Sequence, residues 1–153
     1  MPAKAEKSPL FIEVEELKNR KYGSLIEDLS ESSNEIIGDL EAYAKQEVAV
    51  YLDSRYDSEF IFAQRGDKRN PLIVRLVLDL VVFYLYERTN SIEMPLSLKD
   101  RIEENKELLK GLSNGTLALN SLPKRAIEDP LKPQTTAFRG ASVSRFNDAS
   151  YLD

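Results

Sequence analysis

From residue 34 to residue 119 the apolar positions recur at three- and four-residue steps, the period of helices that bury one face. In SSNEIIGDLEAYAKQEVAVYLDSRYD the stripe is Ile37, Leu40, Ala44, Val48, Tyr51 and Leu52, with Glu35, Asp39, Glu41, Lys45 and Glu47 mostly off it. Ser33 or Asn34 supplies an N-cap oxygen, and the pattern predicts a helix finishing close to Tyr56. In NPLIVRLVLDLVVFYLYERTN, Asn70 is the expected N-cap and Pro71 the first helical residue, where a missing N–H is no loss. From Leu72 to Tyr86 only Arg75 and Asp79 carry charge. The Val and Ile content would also suit a buried strand; length and the capped start decide for helix. A helix apolar on nearly every side belongs at the centre of a bundle or under another subunit. Arg75 and Asp79 are four apart and share a face, which leaves two readings open: a partly buried ion pair, or an interface or lumen site.

The third helix is read from SLKDRIEENKELLKGLSNG. Ser97 with Asp100 resembles a capping box, Leu98, Ile102, Leu109 and Leu112 form the buried stripe, and Asn114-Gly115 is the left-handed stop. Upstream, Phe11, Val14 and Leu17 allow one short helix and Leu25, Ile26 and Leu29 another. Between the first two long helices, DSEFIFAQRGDKRNP reads as a connection turning at Gly66. Its Arg65-Gly66-Asp67 tripeptide reads as an ordinary turn, not as an adhesion motif. Beyond the apolar run at 116–119 the period is lost, and Pro123, Pro130 and Pro133 break the chain into extended pieces. The expected fold is all-α: a small bundle of three main helices plus short N-terminal helices, with an extended C-terminal arm. The corresponding divisions are 1–32, 33–119 and 120–153.

Composition narrows the chemistry. The chain has no Cys, no His and no Trp. Disulfides, thiolate–imidazole zinc sites and His-dependent nucleophiles are therefore excluded, leaving carboxylates, Lys, Tyr or a hard metal. No apolar run is long enough to span a bilayer, and MPAKAEKSPLF lacks the apolar core of a signal peptide. The expectation is a soluble, cytosol-made protein with no membrane partner. The net charge of −5 is distributed as +1 over residues 1–22, −7 over 23–119 and +1 over 120–153. An acidic body argues against a general grip on nucleic acid.

One cluster has the look of a metal site. Glu103, Glu104 and Glu107 form E-E-x-x-E, and Glu103 and Glu107, one turn apart, are placed to share a Mg²⁺. This resembles half the motif of all-α nucleoside-triphosphate pyrophosphohydrolases of the MazG type. Those enzymes complete the cluster with E-x-x-D on a following helix, whereas here Glu128 and Asp129 are adjacent and followed by proline. The competing reading is a solvated charged face supported by Lys99, Lys106 and Lys110, and no Gly-rich phosphate loop accompanies it. No catalytic, cofactor or metal residue is assigned, and an enzyme is not expected.

The order and spacing of the segments resemble the small head–tail connector (adaptor) proteins of tailed phages, nearest to the Mu-like head-completion family. The first helix carries Ala44, Val48, Tyr51, Leu52, Arg55 and Tyr56 in the spacing A-x-x-x-V-x-x-Y-L-x-x-R-Y. The second ends Tyr84-Leu85-Tyr86-Glu87-Arg88, and the third keeps Leu109, Leu112 and Gly115. The opening Phe11-Ile12 to Leu17 is similar to that family's F-x-T-x-x-D-L, with Glu in place of Thr and Asp. The resemblance covers about 110 of the 153 residues. It implies a structural virion protein at the head–tail junction, with no catalytic activity. Copies of the chain would form a ring, about twelve in number, beneath the portal protein and above a neck or tail protein. DNA would pass through the lumen without sequence-specific contact. A neck or tail-completion (stopper) role is the alternative within the same class.

The tail poses its own question. FRGASVSRFNDASYLD sets Phe138, Phe146, Tyr151 and Leu152 among Ser, Asn, Gly and Arg, although a segment with no core of its own is normally poor in aromatics. These residues, with Arg139, and with Arg75 and Asp79 in the body, are the candidate interface. The expectation is an arm whose aromatics fill pockets on a neighbouring subunit or the portal; a tail with no contact is the other reading.

Overall fold

The computed structural model describes residues 10–19, 34–88 and 93–126. It is a small all-α bundle: 71% of these residues are helical, and none lies in a strand. In chain order the helices are α1 (Val14–Lys18), α2 (Asn34–Leu52), α3 (Ser58–Ala63), α4 (Pro71–Arg88) and α5 (Leu96–Asn114), with a 3₁₀ turn at Gly66–Lys68. The three long helices α2, α4 and α5 pack against one another, with α2 against α4 the most extensive contact.

The most apolar helix is the centre of the bundle. Ile73, Val74, Leu76, Val77, Leu78, Leu80, Val81, Val82, Leu85 and Tyr86 of α4 are all buried, so apolar residues on nearly every side meet protein. Each such side chain contributes about 1.5–3 kcal/mol on leaving water. The helix starts as read: Asn70 Oδ1 accepts from the N–H groups of Leu72 and Ile73 at 3.0 and 3.3 Å, with Pro71 in the first position. One chain covers this helix, so its apolar surface does not require a neighbour.

Helix α2 buries Ile37, Glu41, Ala44, Val48 and Leu52. It stops at Leu52, short of Tyr56, because the chain turns there and uses Tyr56 elsewhere. The Tyr56 ring is 2% exposed, its hydroxyl accepts from Leu119 N–H at 3.0 Å, and its backbone pairs with Lys124 in an isolated antiparallel bridge. The connection that follows contains a helix, α3, capped by Asp57, whose Oδ1 accepts from Phe60 N–H at 3.1 Å. Within Arg65-Gly66-Asp67, the Arg65 guanidinium donates to the carbonyls of Phe62 and Gln64 at 2.7 and 2.8 Å. The tripeptide is a turn.

Helix α5 begins at Leu96 with Pro95 as N-cap, which places Ser97 inside the first turn instead of at a capping box. Its end is as the sequence predicts. Gly115 has φ 87°, its N–H and that of Leu117 donate to Gly111 C=O at 3.1 and 3.0 Å, and the left-handed residue closes the helix. A Cβ at Gly115 would meet the guanidinium of Arg55, which can swing aside, so it is the left-handed dihedral that reserves this position for glycine.

Residues 120–126, read from sequence as the start of the arm, lie on the bundle as a strap. Leu122 is 5% exposed, Asp57 N–H donates to Pro123 C=O at 2.9 Å, and Asn70 Nδ2 donates to Ser121 Oγ at 3.2 Å. The N-terminal segment is held as firmly. Phe11, Ile12 and Leu17 are at most 1% exposed, and Phe11 meets Phe62 edge-to-face at 5.3 Å.

Candidate interface

Of the seven residues marked from sequence, Phe138, Arg139, Phe146, Tyr151 and Leu152 lie outside the described residues. Arg75 and Asp79 lie within them, and the structure joins them through a third residue. Asp79 is 4% exposed and accepts from Asn105 Nδ2 of α5 at 2.9 Å, while Asn105 Oδ1 accepts from Arg75 at 3.4 Å. Arg101, half-exposed on α5, places its Nε 3.7 Å from the same carboxylate. The four residues form a polar bridge between α4 and α5, so this pair is an internal tie of one chain. The Arg75 Nε is buried without a hydrogen-bond partner. Asn105 was missed in sequence because an Asn beside glutamates looks solvated; its place on the Leu98–Ile102–Leu109–Leu112 row, four residues before Leu109, was the available signal.

The glutamates of E-E-x-x-E face outward. Glu103, Glu104 and Glu107 are exposed; Lys106 lies 3.7 Å from Glu103 and Lys110 lies 2.8 Å from Glu107. The Glu107 carboxylate raises the pKa of Lys110 through that hydrogen bond. Among the described residues no group of three or more acidic side chains is arranged to hold a metal ion.

Two charged clamps fasten the N-terminal segment. Glu41, 2% exposed, accepts from the N–H groups of Phe11 and Ile12 at 3.0 and 2.9 Å, with Lys45 at 3.3 Å. The carboxylate that sequence reading set off the buried stripe is in fact on it, because the stripe faces two free backbone donors. Arg69 makes a two-pronged pair with Glu16 at 2.8 and 2.7 Å and donates to Phe11 C=O at 2.9 Å and Gly66 C=O at 2.9 Å. The bond to Glu16 raises the Arg69 pKa further against the opposing effect of burial.

Large apolar side chains are exposed at Tyr43 (63%), Val50 (71%), Phe60, Leu96 and Leu117. Scattered single residues of this kind are ordinary on a protein surface. Tyr43 and Val50 differ because they are two turns apart on α2, about 10 Å along one face. Ala42 and Gln46 are exposed beside them and Ala49 is half-buried. The charges flanking this strip point elsewhere. Lys45 pairs with Glu41, and Glu47 accepts a short hydrogen bond from the Tyr84 hydroxyl. Burial first, then that bond to Glu47, raises the Tyr84 pKa. Between Asp39 and Asp53 the outer face of α2 is therefore uncharged.

Beside α3 and the start of α4 lies a cleft of about 240 Å³, lined by Phe60, Ile61, Arg69, Asn70, Leu122 and Pro123 among others. Arg69 and Asn70 are already committed to Glu16 and to the cap of α4. The cleft is a seam between the strap and the bundle.

Comparison with protein-family models, with curated proteins and with solved structures gave no match. No helix among the described residues is long and apolar enough to cross a membrane.

Proposed function

We propose that this chain is a structural subunit of a tailed-phage head–tail connector, a ring beneath the portal that extends the DNA channel and joins the capsid vertex to the tail. Support comes first from the order of the elements: a docked N-terminal segment, a three-helix core over residues 34–119 and a further C-terminal segment, the arrangement the resemblance implies. The apolar helix α4 lends no weight to a ring, since one chain buries it. The observation that carries the proposal is the uncharged outer face of α2, where Tyr43 and Val50 are 63% and 71% exposed beside Ala42 and Gln46. Such a face on an otherwise charged body suits contact with another subunit. If each copy presents it to a different surface of the next, the contacts are head-to-tail, and they make a ring when the rotation between copies closes. The acidic balance of residues 23–119 suits a channel that DNA slides through without being gripped.

In this reading Glu103, Glu104 and Glu107 form a solvated helix face. The test is sedimentation velocity and electron microscopy of the full chain, alone and mixed with the portal ring of its own virion. Closed rings, or a stoichiometric layer on the portal, are expected. A chain that stays monomeric and leaves the portal bare at high concentration refutes the proposal.

A further inference from the structure

We infer that the outer face of α2 is the receptor for the aromatic segment 138–152 of another copy of this chain. The inference rests on the connector reading only for supplying that second copy. Three observations converge on it. The strip Ala42, Tyr43, Gln46, Ala49 and Val50 is apolar or neutral, and Lys45 and Glu47, which would otherwise charge its edges, are held by Glu41 and Tyr84. A ligand for it must bring large apolar side chains and neutral hydrogen-bonding groups, without a net charge that would be stranded there. Phe138–Asp153 has that chemistry: Phe138, Phe146, Tyr151 and Leu152 stand among Ser, Asn and Gly, and two Arg are balanced by two Asp.

The second observation is where the described chain ends. Arg125 N–H donates to Arg55 C=O at 2.9 Å, and its guanidinium donates to Asp53 C=O at 2.8 Å. The chain beyond Ala126 therefore starts beside the C-terminal end of α2, one helical turn past Val50. The residues between Ala126 and Phe138 can span up to about 40 Å when extended. That exceeds the width of a bundle of this size, so the aromatics can reach the same strip on an adjacent copy.

The third observation is that no described residue covers the strip: Tyr43 and Val50 are 63% and 71% exposed, and the connector reading supplies the neighbouring copy that would cover them. A contact in which each copy gives its segment to the next and receives one from the previous is head-to-tail, the type that closes a ring. The remaining exposed apolar residues, Phe60, Leu96 and Leu117, stand on separate elements and offer no comparable strip.

The test uses the full chain with a photoreactive phenylalanine analogue at position 146, as an equal mixture of isotope-labelled and unlabelled molecules. The expected cross-link joins residue 146 to the peptide containing Tyr43 and Val50, and carries the mixed-label signature of two different chains. Tyr43→Glu and Val50→Asp should remove the cross-link and weaken association about tenfold or more, as the loss of an aromatic anchor does. Tyr43→Phe should retain both. Both sites are exposed, so unchanged helical circular dichroism is expected and separates lost docking from lost fold. A cross-link confined to single chains or landing on another surface overturns the inference, as does association undisturbed by Tyr43→Glu and Val50→Asp. If those variants still form a ring on the portal, this inference fails while the connector function stands. If mixed-label cross-links form but no ring or portal layer ever does, the connector function fails and the inference stands.

Discussion

Removing the Glu41 carboxylate tests most directly how the N-terminal segment is held. In Glu41→Ala the N–H groups of Phe11 and Ile12 lose their acceptors, at 3.0 and 2.9 Å, in a place where Phe11, Ile12 and Glu41 are themselves at most 2% exposed. Each buried donor left unpaired costs about 1–3 kcal/mol, so a segment that stays docked loses about 2–6 kcal/mol. Undocking sets the upper limit, because the two N–H groups then meet water while Phe11, Ile12 and Leu17 lose their burial. Glu41→Gln keeps one acceptor oxygen and should lose roughly half as much. Lys45→Ala is the control: its ammonium is 30% exposed and its pairing with Glu41 contributes about 1 kcal/mol at most. The assays are urea denaturation and amide hydrogen exchange at Phe11 and Ile12. A loss of 2 kcal/mol in local stability speeds exchange about thirtyfold. If Glu41→Ala leaves both amides as protected as in the parent and stability within about 0.5 kcal/mol, the clamp is not what holds this segment.

Gly115→Ala forces a side chain into the left-handed region and against Arg55; a loss of at least about 1–2 kcal/mol is expected in thermal or urea unfolding. Asn105→Ala removes the donor that meets the buried Asp79 carboxylate at 2.9 Å and should destabilise the bundle by about 1–3 kcal/mol in urea unfolding; an unchanged midpoint would refute a structural role for this amide. The Tyr84 phenol is raised in the folded state above its ordinary 10.0, so folding favours its protonated form. Its contribution is whole below pH 10.0 and is lost as pH climbs from there toward the folded value. Tyr84→Phe should therefore flatten the alkaline fall in stability relative to the parent; identical alkaline limbs would refute the assignment.

Helix α4 and the left-handed stop of α5 were legible because both are local. Asn70-Pro71 and Asn114-Gly115 act on backbone groups within a few residues, and fifteen consecutive positions with two charges have no other place than an interior. The end of α2 was not legible, since what stops it at Leu52 is the burial of Tyr56 under Leu119 and Lys124, more than sixty residues along the chain. Helix α3 looks like a connection in the sequence because six residues are too few to show a period. Glu41 and Asn105 defeat pattern reading for one reason. A polar residue on an apolar stripe is tolerated only when a partner arrives from a distant segment, and periodicity carries no information about such partners.

The same division applies to the candidate interface. Its aromatic segment was visible as composition, but the strip proposed to receive it was not. Tyr43 and Val50 become a surface only after α2 has turned Ile37, Ala44 and Val48 inward and Glu41 and Tyr84 have drawn Lys45 and Glu47 aside. The set of helices and their apolar faces can be read from the residues alone, because turn residues and periodicity are short-range physics. Which charges are spent within the bundle and which face is left bare emerges only on folding, because pairing depends on distances between segments far apart in the chain.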